Sequence, residues 1–501
     1  VIKHLEKLKS WQLAILSGFL IGASFPPFKL GFLAWIGLIP FIRAVFRLTP
    51  WKAAGVGYLT GFVTNVLALH WLSFNIGASF PVVFTAMMAA AIYLAIFWAI
   101  FSFLFSWIHL QSGAGLVLMP FLWVTLEYGM SLGPMGFPWV SLATTQTDYL
   151  PVIQMAEWTG IYGISFWLVT VNVILYGLLT FPRTAWMPRV VRTAIVVIVI
   201  VWLTGYGRLV ILPETDETKR VDVAVVQPNV GPHEKWQPDK RDWVFDRLDS
   251  LYMVAAESEP DLIIWPEAAT PAFITKNFRR LYQLKQRIRQ TGIPLLTGTV
   301  DWSSVKGRRA YHNSAALIRE DGSIPVYHKQ QLVPLAEFNP FARQLPASEE
   351  LNLGHYTKGT EETIFQVNEV SFASIICFES VFPTIVNGLN RRGAQFLVIV
   401  VNDGWYGTSA EPYQHEAIAR LRAIENRYPV VRSANTGISA VIDRRGREVK
   451  SMGIGETGVI TASIMPVKEH TFYRRHGNWI LPWSLLFSVV MVGVGWKRTR
   501  E

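Results

Sequence analysis

Cysteine is almost missing: Cys377 is the only one in 501 residues. No intrachain disulfide can form, and no zinc-finger spacing exists. Charge is scarce as well. Charged residues make up 16% of the chain and hydrophobic residues 51%, which argues against an ordinary soluble protein. There is no internal repeat and no low-complexity tract. What is plentiful is apolar and aromatic: Trp 20 and Phe 30, as expected where rings line membrane interfaces. The net charge is +10. Its basic residues flank apolar runs, so membrane topology and anionic headgroups explain them, and no nucleic-acid partner is expected.

Eight apolar runs read as candidate membrane spans: 11–25, 28–46, 53–72, 82–108, 115–132, 158–181, 190–206 and 479–496. The first two are near the lower limit of the ~20 residues that cross a bilayer. A signal peptide is the competing reading of the first, but a second run follows at once, with no clear cleavage site between. With the amino end inside, the inner loops hold Arg43, Arg47 and Lys52, then Arg183, Arg189 and Arg192, then the basic tail Lys497, Arg498 and Arg500. The outer loops 73–81 and 133–157 contain no Lys or Arg. This follows the positive-inside rule and puts both ends in the cytoplasm. Glu127, Asp148 and Glu157 lie in or near the spans, where ionisable groups often mark function.

The expected layout is a transmembrane domain of seven helices over 1–207, a globular domain over 208–476 on the outer face, and an eighth helix with a basic tail over 477–501. The globular segment mixes charge with alternating strands and helices. Strands are expected at 221–227, 261–266, 294–300, 311–319, 323–328, a pair within 363–376 broken at Asn368-Glu369, and 396–402, 430–442, 448–450 and 458–464. Helices are expected at 241–258, 277–291 and 411–427. Asp321-Gly322 is a hairpin signal. The pattern predicts an α/β domain with helix-covered sheets.

Three ionisable residues fall at strand ends, where ligand crevices of open α/β sheets lie. Glu267 ends Ile263-Ile264-Trp265-Pro266-Glu267, Lys329 ends Val326-Tyr327-His328-Lys329, and Cys377 ends Ser374-Ile375-Ile376-Cys377. Singly, each has an ordinary reading: a solvated strand end, a surface lysine, a small buried hydrophobe. A thiol at a strand-to-helix junction, however, meets unpaired backbone N–H groups that lower its pKa and hold an oxyanion.

The pieces Trp265-Pro266-Glu267, Lys329-Gln330-Gln331-Leu332-Val333-Pro334-Leu335-Ala336-Glu337 and Cys377-Phe378-Glu379 resemble the Glu-Lys-Cys motifs of the nitrilase superfamily. Inserted before the last of eight spans, such a domain is similar to the apolipoprotein N-acyltransferase family. The resemblance implies an α-β-β-α sandwich and an acyl transfer. A phospholipid would donate the acyl chain, phosphatidylethanolamine by expectation. It would pass through a Cys377 thioester to the amino group of a diacylglyceryl-modified apolipoprotein. The setting would be the bacterial inner membrane, with the catalytic domain in the periplasm, no metal, no cofactor and a monomeric enzyme. Glu267 would be the general base, Lys329 the oxyanion stabiliser and Cys377 the nucleophile. Glu337 would orient Lys329 or the donor, or be structural. Glu379 would order the loop after the nucleophile, or simply sit at a helix start. Trp236 would line the entrance, and Asn313 and Asn402-Asp403-Gly404-Trp405 would form neighbouring loops. Phe378 stands where relatives carry Tyr, so no hydroxyl acts there. His328 should face away from Lys329. Segment 338–356 reads as a lid or a plain connection, and 133–139 as an outer loop that meets the domain's mouth or merely connects. Two other readings use the same chain: a tethered amidase or nitrile hydrolase with water as acceptor, and a transporter whose outer domain only binds ligand.

Overall fold

A computed structural model describes residues 7–180, 187–212, 220–305, 307–339 and 356–498. The chain divides into two compact units, Val1–Leu212 with His476–Glu501, and Pro213–Arg475.

The first unit is helical. Among the described residues, four of its helices are long and apolar enough to cross a membrane: Phe80–Ser112, Ala156–Thr180, Val191–Ile211 and Ile480–Arg498. Helices Ser10–Gly22 and Gly115–Gly129 are apolar but shorter. Pro50–Ala68 buries Thr60, Thr64 and Asn65 rather than a purely apolar stripe. It packs closely on Phe80–Ser112, and a Cβ at Gly61 would come within 2.5 Å of the Trp98 ring. Small residues at such contacts let helix backbones approach. The expected span 28–46 is not one helix. Gly31–Trp35 forms a 3-10 turn, and an α-helix follows only over Leu38–Val45. Two glycines and Pro40 in this stretch weaken a continuous helix. The carboxylate of Glu127 accepts from Trp123, Ser141, Ser165 and the Leu142 amide. It ties helices together. Glu157 pairs with Arg208 at 2.6 Å, and Asp148 is exposed.

The second unit contains, among the described residues, the strands β1 (Val221–Gln227), β2 (Leu262–Trp265), β3 (Leu295–Val305), β4 (Arg308–Ile318), β5 (Val326–His328), β6 (Phe365–Val367), β7 (Val370–Ile376), β8 (Leu397–Val401), β9 (Val430–Ala434), β10 (Ser439–Ile442), β11 (Glu448–Met452) and β12 (Gly458–Ile464). They form two six-stranded sheets, β12-β1-β2-β3-β4-β5 and β11-β10-β9-β8-β7-β6. In each sheet three strands at the centre run parallel: β1-β2-β3 and β7-β8-β9.

Side-chain alternation builds four layers from this. Val223, Val225, Leu262 and Ile264 meet Phe372, Ile376, Val398 and Val400 between the sheets. The residues in between face outward. Ala224, Val226, Ile263 and Trp265 pack under helix Arg241–Ala256 and helix Phe278–Thr291 through Val244, Leu248, Tyr252, Leu284 and Ile288. Ala373, Ile375, Leu397 and Ile399 pack under Pro383–Arg391 and Glu411–Asn426 through Val386, Leu389, Ala419 and Ala423. The order is helix, sheet, sheet, helix.

Expectation and structure differ in places. The stretch 430–442 is two strands, β9 and β10, separated by a turn. Asn435 draws the chain out of the ladder there by bonding Val230 through both its side-chain oxygen and nitrogen. The strands expected at 294–300 and 311–319 extend into an 11-residue hairpin pair, β3 and β4. Before helix Pro383–Arg391 there is a 3-10 turn, Cys377–Val381.

Candidate active site

Each of the three candidate residues lies just past the end of a strand. Cys377 follows β7 and opens the 3-10 turn with φ at 50°. That left-handed conformation costs a non-glycine residue on the order of 1–3 kcal/mol, and such strain collects at functional sites. Ala268, next to Glu267, and Leu335, in the loop after Lys329, also have positive φ. Glu267 follows β2 and lies against Gly298 of β3, where a Cβ would come within 2.5 Å of the Glu267 Cα. Only glycine lets the two backbones meet so closely. Lys329 follows β5, and its amide donates to Asn313 O at 2.9 Å.

Glu267, Lys329, Glu337 and Asn313 form one cluster. Lys329 Nζ donates to Glu337 Oε1 at 2.9 Å and lies 3.7 Å from Glu267 Oε1. Asn313 Nδ2 bridges the carboxylates, donating to Glu267 Oε1 at 2.7 Å and Glu337 Oε1 at 2.8 Å. The Val333 amide holds Glu337 Oε2 at 2.8 Å. All four side chains are buried or nearly so.

The electrostatics link this cluster to the thiol. Burial pushes the Cys377 thiol well up, the Glu267 carboxylate pushes it further, and Lys329 opposes both. Burial also raises Glu267, with Lys329 countering and Glu337 reinforcing. Burial works against the Lys329 ammonium, but Glu337, Glu267 and Cys377 outweigh it and keep it charged. Burial and Glu267 thus oppose the thiolate, the neighbours of Lys329 favour its ammonium, and burial raises the basicity of Glu267. A general base beside a nucleophile that is not already ionised is what this set can supply.

Glu379 is fully buried and joins the lysine loop to the cysteine turn. Its Oε1 accepts from Tyr327 OH at 2.8 Å, Gln330 N at 2.6 Å and Gln331 N at 3.2 Å. Its Oε2 accepts from Ile376 N at 2.8 Å. Burial raises its pKa to about 7. Four donors on one carboxylate make it a structural tie rather than a simple helix-start charge. Phe378 is buried and packs edge-on against Phe382.

Trp236 is 46% exposed. With Arg241, Phe273, Trp302, Tyr311 and Tyr356 it lines an open groove of about 640 Å³. Tyr356 links groove and cluster. Burial first, then Glu337 and Glu267, push its phenol up to about 12. His328 engages Ser314 at 2.8 Å and stacks on His312. Asn402 accepts from Asn435 within the turn that divides β9 from β10. Of the segment 338–356 expected as a lid, residues 340–355 lie outside the described residues.

Sequence reasoning did not single out Lys235, Tyr327 or His415. Lys235 is buried, donates to Ala268 O at 2.8 Å, and is lowered to about 8 by burial against the pull of Glu267. Its position beside Trp236 was the available signal. The buried carboxylates Asp403 and Glu411 converge with His415, their ligand atoms all within 4.8 Å. Arg432 donates to Asp403 Oδ2 at 2.6 Å. That guanidinium makes the cluster an ion-pair network and disfavours a cation.

The apolipoprotein N-acyltransferase N-terminal domain matches residues 17–174, and the carbon-nitrogen hydrolase family matches 222–469. An apolipoprotein N-acyltransferase of Chlorobaculum tepidum is 32% identical over 93% of this chain and 93% of its own. One from Geobacter metallireducens is 31% identical over 97% and 94%. Among solved structures, Saccharomyces cerevisiae Nit3, of the nitrilase superfamily, is 21% identical with a TM-score of 0.39 and covers 50% of this chain and 91% of its own. The identity of 31–32% to the two acyltransferases, running through both the helical unit and the sandwich, shows that the chain belongs to the apolipoprotein N-acyltransferase family.

Proposed function

We propose that Cys377 carries the acyl group as a thioester between a phospholipid and the α-amino group of a diacylglyceryl-modified N-terminal cysteine. The observation that carries this reading is the strand-end cluster: Lys329 Nζ lies 3.7 Å from Glu267 Oε1 and 2.9 Å from Glu337 Oε1, and Glu379 ties the lysine loop to the turn on which Cys377 is held at φ 50°. In the first half, Glu267 takes the thiol proton as Sγ bonds to the ester carbonyl carbon. The developing oxyanion is held by the Lys329 ammonium and the Phe378 N–H. The tetrahedral adduct collapses, the C–O bond breaks, and Glu267 returns the proton to the leaving lysophospholipid oxygen. In the second half, Glu267 deprotonates the incoming ammonium, and the amine attacks the thioester. A second amine proton goes to the departing sulfur. An amide, a free thiol and one released proton remain. Glu337 and Asn313 hold Lys329 and Glu267 in register, and Trp236 stands in the groove that would take the donor.

The wider reading follows the charge pattern. Eight spans would leave both ends in the cytoplasm and residues 208–476 in the periplasm, between helices over 1–207 and 477–501. The enzyme would sit in the inner membrane as a monomer and draw on phosphatidylethanolamine.

The test is to incubate the detergent-solubilised chain with acyl-labelled phosphatidylethanolamine and measure the mass of the Cys377 peptide. The expected result is one added acyl chain, absent from Cys377→Ala, with loss of transfer to a lipopeptide acceptor. Transfer by Cys377→Ala at the wild-type rate would overturn the reading. Turnover of small amides without lipid would favour the amidase alternative.

A further inference from the structure

Beneath the nucleophile lies a buried histidine that the acyl-transfer steps do not use. His415, on helix Glu411–Asn426, faces two ways. Its Nε2 lies 3.1 Å from the backbone carbonyl oxygen of Cys377 and 3.0 Å from Ser380 Oγ. Its Nδ1 lies 3.1 Å from Asp403 Oδ1 and 3.3 Å from Glu411 Oε1. Arg432, itself fully buried, anchors the far oxygen of Asp403 at 2.6 Å. The relay therefore runs from Arg432 through Asp403 and the imidazole to the Cys377 carbonyl.

That carbonyl belongs to the peptide group whose other end is the Phe378 N–H. The same peptide leaves a residue held at φ 50°. We infer that His415 is a positioning residue for acyl transfer, fixing the Cys377 turn and polarising the Cys377–Phe378 peptide so that its N–H is a stronger donor to the oxyanion. The inference rests on the thioester reading above. Hydrogen bonds in series strengthen one another in a low-dielectric interior, and a charged donor is the stronger partner. Burial disfavours the imidazolium, but the hydrogen bonds to Asp403 and Glu411 outweigh it and raise the pKa to about 9. Both ring nitrogens face acceptor oxygens, so each is placed to donate. Nδ1–H serves the carboxylates, and Nε2–H serves the Cys377 carbonyl and Ser380. A ring buried only to fill space needs neither two carboxylates behind it nor a backbone carbonyl in front.

The test uses the full chain in detergent with a phosphatidylethanolamine donor carrying carbon-13 at the acyl carbonyl. Three quantities are read: the acylation rate constant, the donor concentration at half-saturation, and the infrared stretch of the thioester carbonyl on Cys377. For His415→Gln, acylation is expected to fall at least tenfold while half-saturation stays within about twofold. The thioester band should move to higher wavenumber, because the oxyanion site pulls less on the carbonyl. Glu411→Gln keeps the imidazole and removes one carboxylate behind it. It should shift the band the same way by less, which keeps the inference testable if His415→Gln does not fold. Variants that acylate within threefold of wild type overturn the inference, as does an unmoved band. If the wild type forms no adduct at Cys377, the thioester reading fails first and the inference falls with it.

Discussion

At the scale of single residues, the site rests on a thiol that does not ionise by itself. Papain-like sites keep a thiolate ready beside a cationic base. Here burial and the neighbouring Glu267 carboxylate both oppose the thiolate. On the proposed thioester route, proton removal accompanies attack, and Glu267 would carry more of the barrier than a spectator carboxylate. Glu267→Gln is expected to lower the acylation rate by about 10²–10⁴-fold, measured by rapid-quench adduct formation, with donor binding preserved. The pH dependence has a definite sign. Glu267 must be ionised to act as the base, and its pKa is raised above the ordinary 4.5. The acidic limb of the wild-type acylation rate should therefore lie above pH 4.5. An acidic limb below that value would mean Glu267 is not the titrating base.

At the scale of elements, two loops from different sheets meet on one carboxylate. The Lys329 loop follows β5 of the first sheet, and the Cys377 turn follows β7 of the second. Glu379 accepts from amides of both. Glu379→Gln would turn an NH₂ toward backbone donors and leave at least one unsatisfied. The expected cost is about 1–3 kcal/mol, read as a lower unfolding temperature. Acylation should drop along with it, because Lys329 and Cys377 lose their common support. Much of this architecture was legible. Period-two alternation marks β1, β7 and β12 in the bare sequence, and Lys329-Gln330-Gln331-Leu332-Val333-Pro334-Leu335-Ala336-Glu337 announces two members of the cluster. The division of 430–442 was not legible, because the force that bends it is Asn435 reaching Val230 some two hundred residues earlier. Nor was the His415 network. Cys377, Asp403, Glu411 and Arg432 come from four separate segments and meet only when β7, β8 and β9 lie side by side. Lone polar residues in apolar or amphipathic stretches carry no mark of such a meeting. The break within the expected span 28–46 was not legible either, because its glycines and Pro40 leave the run apolar while dividing it into a 3-10 turn and a short helix.

At the scale of the whole molecule, an apolar helical unit accompanies a sandwich rich in charge. Among the described residues, four helices meet the length and hydropathy needed to cross a membrane, and the proposed inside orientation of both chain ends is open to a direct test. Because Cys377 is the only cysteine in the sequence, Cys377→Ala gives a thiol-free background for a test of sidedness. Lys450→Cys in that background, at an exposed position of β11, should react with a membrane-impermeant maleimide in intact spheroplasts, and Cys377→Ala alone should remain unlabelled. Labelling that requires permeabilised cells would put the sandwich in the cytoplasm.

The pairing of β1 with β12 has a wider meaning. Val221, in the first strand, lies opposite Ile464, in the last. The polypeptide thus enters and leaves this sheet at neighbouring points. A sheet that begins and ends on paired strands holds its two chain ends together, so the sandwich closes on itself with no strand borrowed from the helical segments before and after it in sequence.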